Sequence, residues 1–364
     1  MEQETSILKG RIKKVRTKLQ SAKVDALIVT VGANVSYLSG FCGDDSWLIV
    51  TGKSVCLVTD SRYTLQAKGQ CPACKIYQRK GSMIDAVADI LKKLPAVKAA
   101  AVEDKIEVAL FRILRKKLPV RIKAVKGLVE SVRAVKDESE IAAIRRAIEI
   151  SEKALAKVLP KIRIGYSETK IAAILDFEMK QAGANPAFET VIAFGTNSAM
   201  AHHRPTARKL KKVDTILIDF GAKIDGYCAD LTRCFAVGKV NNFYAKVYKT
   251  VLDSQTSAIN MLKAEVKAKA ADASAKEIII ASKLPPYGHG LGHGIGLDVH
   301  EQPGVSFLSK ASLQKGNVIT VEPAVYLPGK FGIRIEDDVL ITENGCEILT
   351  TLLKSDEVPL LKIR

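Results

Sequence analysis

At 364 residues the chain is long enough for two domains, each with its own core, and a 47% apolar content without low-complexity tracts argues for a folded chain throughout. No apolar run reaches membrane-spanning length, and the acidic start Met1-Glu-Gln-Glu-Thr5 lacks the basic-then-apolar layout of a secretory leader, so no membrane association is expected. Seven cysteines, an odd count without framework spacing, fit a reducing cytoplasm, which is the expected compartment.

The net charge of +17 is uneven: residues 1–136 hold 26 Lys/Arg against 12 Asp/Glu, or +14, and residues 137–364 hold 30 against 27, or +3. The basic half lacks interleaved aromatics and any nucleic-acid motif, so a solvated basic face on amphipathic helices such as Lys9 to Lys23 is expected rather than a nucleic-acid surface. Along the chain, a helix near 6–22 precedes an apolar strand at Val24 to Thr30. Strands follow at Ser46 to Val50 and Ser54 to Asp60, then amphipathic stretches near 82–94 and 107–118. This alternation predicts an α/β domain with a mixed central sheet over residues 1–130. Cys71-Pro-Ala-Cys74, a single pair with no second pair or nearby histidine, is a weak redox or metal signal.

The boundary is expected near 125–137, with a second domain over 137–364. Asp137-Glu-Ser-Glu140 is a capping box that starts a long helix striped by Ile141, Ile144, Ile148 and Leu155. Ser167 can cap a second helix ending near Gly183, and two longer helices are expected between about 242 and 281, broken near Lys267 to Ala271. Strand hairpins alternate with these helices, which predicts an α+β domain.

Those hairpins carry the chemistry. Asp219 ends the apolar run from Thr215, Asp230 lies on the strand Tyr227 to Val237, and the turn is near Ile224-Asp225-Gly226. The two aspartates are 11 apart, so across a two-residue loop they share a face. They stand directly opposite if Ile224-Asp225 forms the turn and diagonally if Asp225-Gly226 does. Glu322 and Glu336 are equidistant from Gly329, and a three-residue loop there sets them face to face. Like charges paired on apolar strands call for a cation between them. All five histidines, His202, His203, His289, His293 and His300, fall between 202 and 300, and His293 sits in the Gly-rich run Gly288 to Gly296. Four carboxylates and one imidazole suit two divalent ions of the kind used in hydrolysis. Cys228 and Cys234 share parity with Asp230 but are read as small buried residues.

The segments Ile218-Asp-Phe-Gly221, Gly226-Tyr-Cys-Ala-Asp-Leu-Thr-Arg233, Gly290-Leu-Gly-His-Gly-Ile-Gly-Leu-Asp-Val-His-Glu301, Thr320-Val-Glu-Pro323 and Gly332-Ile-Arg-Ile-Glu-Asp337 resemble the metallopeptidases of the pita-bread fold, in the group of Xaa-Pro aminopeptidases and Xaa-Pro dipeptidases (prolidases). Asn34 to Phe41 and Thr59 to Tyr63 resemble the non-catalytic N-terminal domain of the creatinase and prolidase group, where Asp60 and Arg62 are expected in a buried structural pairing. The resemblance implies an exopeptidase acting on Xaa-Pro bonds of proline-containing peptides or dipeptides, commonly as a homodimer. It implies that Asp219 binds one metal, His293 and Glu322 the other, and that Asp230 and Glu336 bridge them. Mn²⁺ is the first choice, with Co²⁺, Zn²⁺ or Fe²⁺ also compatible with the set. Glu322 resembles the residue that shuttles the water proton to the leaving amine. His202, in Ser198-Ala-Met-Ala-His202, and His300 match histidines that donate to the scissile carbonyl or developing oxyanion.

His289 is open between pocket wall and loop residue. Arg334 is open between orienting a carboxylate, meeting the substrate terminus, and a salt bridge to Asp225 or Asp338. His203 stands where relatives usually have Gly, which points to an altered pocket entrance. After His300 the chain reads Glu301-Gln-Pro-Gly304, without the Arg that prolidases often place there to grip a dipeptide carboxylate. That departure favours an Xaa-Pro aminopeptidase, with the dipeptidase as alternative. A methionine aminopeptidase would usually lack the N-terminal domain, and a creatinase-like enzyme would not need the five ligands. A non-catalytic pita-bread binding module is the alternative of another class.

Overall fold

A computed structural model of the chain describes residues 2–352 and 354–363, and it divides into two compact units, Met1–Arg133 and Ala134–Arg364.

In the first unit six strands form one mixed sheet in the order Lys75–Gln78, Val55–Thr59, Trp47–Thr51, Ala26–Val29, Ala99–Glu103, Arg121–Val125. The N-terminal helix Glu2–Ser21 buries Leu8, Ile12, Val15 and Leu19 at helical spacing and leaves Lys9, Lys13 and Lys14 in solvent, the solvated basic face expected of this segment. Asn34 lies on a short helix, Gly32–Ser39, that the sequence pattern did not indicate. Its side chain donates to Glu103 Oε1 (2.8 Å) and accepts from Arg133 Nη1 (2.7 Å), so the motif around it is structural. Arg62 does pair with Asp60 and Asp45, but its side chain is 64% exposed, so the buried pairing expected there is corrected to a solvated one. Cys71 and Cys74 are free, and burial pushes their thiols up to about 11 and about 12, which makes them inert packing residues.

In the second unit Asp137 and Glu140 form the capping box that starts the helix Glu138–Val158, and Ser167 caps Glu168–Gln181. The next two helices are Asn242–Met261 and Ala268–Ala281. Their break therefore precedes the expected one, because Glu265 turns with φ 69° and Val266 and Lys267 join the segment Ser312–Leu313. These helices cover sheets built on two antiparallel ribbons, the first joined by the parallel strand Leu360–Leu361, an α+β arrangement of the pita-bread type.

Each ribbon keeps one register through a break. In the first, Thr215–Phe220 pairs with Leu231–Val237, and Ile224 opposite Tyr227 leaves Asp225-Gly226 as the turn. In the second, Val318–Val321 pairs with Asp337–Ile341 and Ala324–Leu327 with Phe331–Arg334, around a loop centred on Gly329. Alternation then divides the second ribbon. Ile319, Val321, Ile333, Ile335, Val339 and Ile341 enter the helix-covered core, each contributing about 1.5–3 kcal/mol of burial. Thr320, Glu322, Arg334, Glu336 and Asp338 take the intervening positions and so face away from it. Among the described residues, no helix is long and apolar enough to cross a membrane.

Candidate metal centre

The break in each ribbon is where its acids sit. Thr232 is opposite Asp219, so Asp230 falls diagonal to Asp219, the arrangement that goes with Asp225-Gly226 at the turn. At the break Gly221 lies so close to Ala229 that a Cβ on it would meet the Ala229 carbonyl oxygen at 1.7 Å. The Asp230 amide leaves the ladder and donates to Asp338 Oδ2 (3.1 Å). In the second ribbon Glu322 and Glu336 stand in register at the gap between the two strand pairs. The ribbons meet at a bridge between Thr232 and Glu336, where the Thr232 hydroxyl donates to Glu336 Oε2 at 2.6 Å. His293 arrives on the short strand Gly292–Gly294, whose approach depends on Gly292, because a Cβ there would lie 2.0 Å from the Thr320 carbonyl oxygen.

Asp230, His293 and Glu336 offer ligand atoms within 4.8 Å of one another, the metal-binding cluster of the described residues. His293 Nε2 is 3.5 Å from Glu322 Oε1 and 3.8 Å from Asp230 Oδ2. Its Nδ1 faces the Gly294 carbonyl at 3.2 Å; a carbonyl only accepts, so Nδ1 carries the proton and Nε2 presents a lone pair to the acids. Burial holds the imidazole neutral, lowering its pKa to about 4. Burial, then repulsion by Glu336 and other acids, pushes Asp230 and Glu322 well above the carboxylate range. Glu336 rises to about 7 through burial and the Asp219 charge. Asp219 accepts a charge-assisted bond from Arg334 Nη2 on Oδ2, while its buried Oδ1 has no hydrogen-bond partner. An orphaned carboxylate oxygen, three crowded acids and a neutral imidazole form a hard-oxygen and nitrogen donor set that fits divalent cations.

Arg334 is fully engaged: Nε donates to Thr232 Oγ1 (3.0 Å), Nη1 to Tyr326 Oη (2.7 Å) and the Ala201 carbonyl (3.2 Å), and Nη2 meets Asp219. It orients a carboxylate and makes neither salt bridge weighed from sequence, since Asp225 pairs with Arg146 and Asp338 receives the Asp230 amide. His289 is also committed. Its Nδ1 donates to the Gly290 carbonyl (2.7 Å), its Nε2 accepts from Tyr326 Oη (3.2 Å), and its ring stacks on Tyr287 at 5.0 Å. Cys234 packs in the helix-covered core and Cys228 is buried, both as free thiols raised by burial.

A cavity of about 450 Å³ opens on this centre. Asp219, Asp230, His293, Glu322 and Glu336 line it, with His202, His289, His300 and Arg334, so the expected metal ligands, the two donor histidines, His289 and Arg334 are brought to one wall or another. His300 stands edge-on to His293, ring centroids 4.3 Å apart, and both His202 and His300 are exposed to the cavity. His203 also borders the space, with its ring turned inward to Glu168 (2.9 Å) and buried. Sequence reasoning missed Thr232, whose parity with Asp230 would have found it, and Tyr326, whose parity with Glu322 would have done the same.

Comparison with known proteins places this geometry. Residues 142–343 match the model of metallopeptidase family M24, and residues 11–135 match the creatinase/prolidase N-terminal domain. An Xaa-Pro dipeptidase of Pyrococcus horikoshii is 34% identical over 94% of this chain and 97% of that protein. Among solved structures, an Xaa-Pro dipeptidase from Bacillus anthracis superposes with a TM-score of 0.93 at 32% identity, covering 97% of this chain and all (100%) of that one. An X-Pro aminopeptidase from Thermotoga maritima gives a TM-score of 0.87 at 39% identity, covering 93% and 98%.

Proposed function

Because this chain belongs to metallopeptidase family M24, with a creatinase/prolidase N-terminal domain, we propose that it is a metal-dependent Xaa-Pro peptidase of the dipeptidase (prolidase) type. One observation carries the reading: two ribbons deliver four acids to one cavity, Asp230 and Glu336 buried and Asp219 and Glu322 largely so, where the strand Gly292–Gly294 adds a neutral imidazole, with Asp219 Oδ1 left unpartnered. In this reading Asp219, Asp230, His293, Glu322 and Glu336 would together hold the divalent cations, Mn²⁺ being the preferred ion. Cations so placed supply Lewis acidity toward a carbonyl oxygen and toward water. Glu322 accepts a proton and returns it to the leaving amine, and His202 and His300 donate hydrogen bonds to the scissile carbonyl oxygen. Proline brings no N–H to its imide nitrogen, so a site that engages only the carbonyl accepts it.

The absence of Arg in Glu301-Gln-Pro-Gly304 favoured an aminopeptidase from sequence, but two considerations favour the dipeptidase. Several relatives that align with nearly the whole chain are named Xaa-Pro dipeptidases. Of the two arginines lining the cavity, Arg334 is engaged throughout, whereas Arg204 is solvent-exposed and 3.4 Å from Glu189, free to exchange that partner for a substrate carboxylate. The aminopeptidase remains the second reading because of the Thermotoga maritima structure. Hydrolysis of Ala-Pro against Ala-Pro-Ala by protein stripped of metal and reloaded with Mn²⁺ separates them. Preference for Ala-Pro is expected; preference for Ala-Pro-Ala would install the aminopeptidase, and no metal-dependent cleavage of either would leave a binding module.

A further inference from the structure

Outside the metal centre, one buried charge has more partners than fold maintenance at its own helix requires. Glu168 opens the helix Glu168–Gln181 and is fully buried (0% exposed), yet the helix is already capped by Ser167. Its carboxylate accepts five hydrogen bonds, all from the excursion 194–206. Oε1 takes the Phe194 amide (2.8 Å) and Asn197 Nδ2 (2.9 Å). Oε2 takes His203 Nε2 (2.9 Å), the Thr206 amide (2.9 Å) and Thr206 Oγ1 (2.6 Å). Although burial alone would raise it, these bonds hold its carboxyl below the ordinary range, so it is ionised.

We propose that Glu168 and His203 are a positioning pair for His202, fixing the excursion so that His202 is presented to the reacting centre. The geometry is specific to that residue. His202 and His203 are adjacent, and the chain turns one ring inward and the other into the cavity. Anchoring His203 to a fixed carboxylate leaves the His202 Cα–Cβ bond one direction. Two further clamps hold the same stretch from the ribbon side: the Gly332 amide donates to Ser198 Oγ (2.8 Å) and Arg334 Nη1 to the Ala201 carbonyl (3.2 Å). Glu168 thus supplies, from the helix side, the third point that a segment needs to stop rocking about two contacts. A misplacement of about 1 Å at a positioning group costs on the order of 10²-fold in rate.

This inference rests on His202 facing substrate, so its test includes a readout independent of hydrolysis. With only five histidines in the chain, ring ¹³C–¹H signals of the Zn²⁺-loaded protein are assignable from single His→Gln variants. In Glu168→Gln the His202 and His203 signals should shift or broaden while those of His289, His293 and His300 stay, with metal content unchanged. In kinetics, Glu168→Gln and His202→Ala should each lower kcat by about 10- to 100-fold with little change in KM. The double variant should be no worse than His202→Ala alone. Losses that multiply, or an unmoved His202 signal, would overturn the proposal. A His202→Ala variant of full activity would instead sink the role given to His202. Should Glu168→Gln not fold, His203→Leu and His203→Gln decide: the amide retains a donor for Glu168 and should recover most of the activity that leucine loses, and equal loss in both would count against the pair.

Discussion

Two groups of acids in residues 134–364 differ in outcome although both are largely withdrawn from solvent. Glu168 meets five donors and is held ionised. At the ribbon junction Asp230, Glu322 and Glu336 meet chiefly one another, and burial with mutual repulsion drives them up. Burial is common to the two; the donor supply is not. A buried carboxylate with its full complement of donors is a structural device, whereas buried carboxylates short of donors mark a place where the protein expects positive charge from outside.

The largest effect should come from removing an acid of the deficient group. Asp230→Ala is expected to abolish uptake of the cation pair and to lower metal-dependent hydrolysis by at least about 10³-fold, since the ions supply several kcal/mol to the barrier. Metal content by mass spectrometry and Ala-Pro turnover read both. Wild-type metal content in this variant would erase the contrast drawn between the two groups.

The contrast also has a pH signature in the metal-free protein. Glu336 titrates near 7 in the folded chain against an ordinary 4.5, so the folded state holds a proton that the unfolded state has lost between those values. More protons in the folded state means stability that falls as pH rises. Read as the Tm difference between the metal-free protein and its Glu336→Gln variant, which cancels the opposite contribution of His289 and His293 (lowered to about 4), the Glu336 contribution should fall as pH goes from about 4.5 to about 7. Saturating Mn²⁺ should reverse the slope, because the cation replaces the proton and adds about 4 kcal/mol at a thousandfold excess over Kd. A difference that instead grows through this window would show Glu336 already paired.

Thr232 joins the two ribbons, donating to Glu336 and accepting from Arg334. Thr232→Val keeps the shape and deletes the hydroxyl, so metal affinity by calorimetry should fall about 10- to 100-fold, as for a lost outer partner of a ligand. Unchanged affinity would mean that the strand pairing alone aims Glu336.

Much of this arrangement was legible in the sequence because strands impose a period of two. Parity placed Asp219 with Asp230, and symmetry about Gly329 placed Glu322 with Glu336. The capping box at Asp137 and the cap at Ser167 are local signals and were equally readable. What parity cannot give is which side of a junction meets which. Tyr326 reaches His289 over 37 positions of chain, and Glu168 reaches His203 over 35. Such contacts depend on how the Gly-rich loop and the 194–206 excursion are laid against their neighbours, a tertiary choice that no local pattern encodes. For the same reason the inward turn of His203 was not foreseen, since adjacent histidines in a loop have no periodicity to divide them.

The smallest effect tests the same distinction from the other side. Asp225 lies in the very turn that joins the strands of Asp219 and Asp230, yet it is more than half exposed and pairs with an equally exposed Arg146 at 2.8 Å. Proximity in sequence to the metal ligands should count for nothing if donor deficit is what matters. Asp225→Asn keeps a residue that tolerates the positive φ of 51° at this position and removes only the charge. An exposed pair contributes about 0–1 kcal/mol, so Tm should move by a degree or two at most, and less in high salt. Metal content and Ala-Pro turnover should equal those of the unaltered protein. A drop in metal affinity would mean that the long-range field of the hairpin, rather than the unmet coordination of its buried acids, draws the cations in.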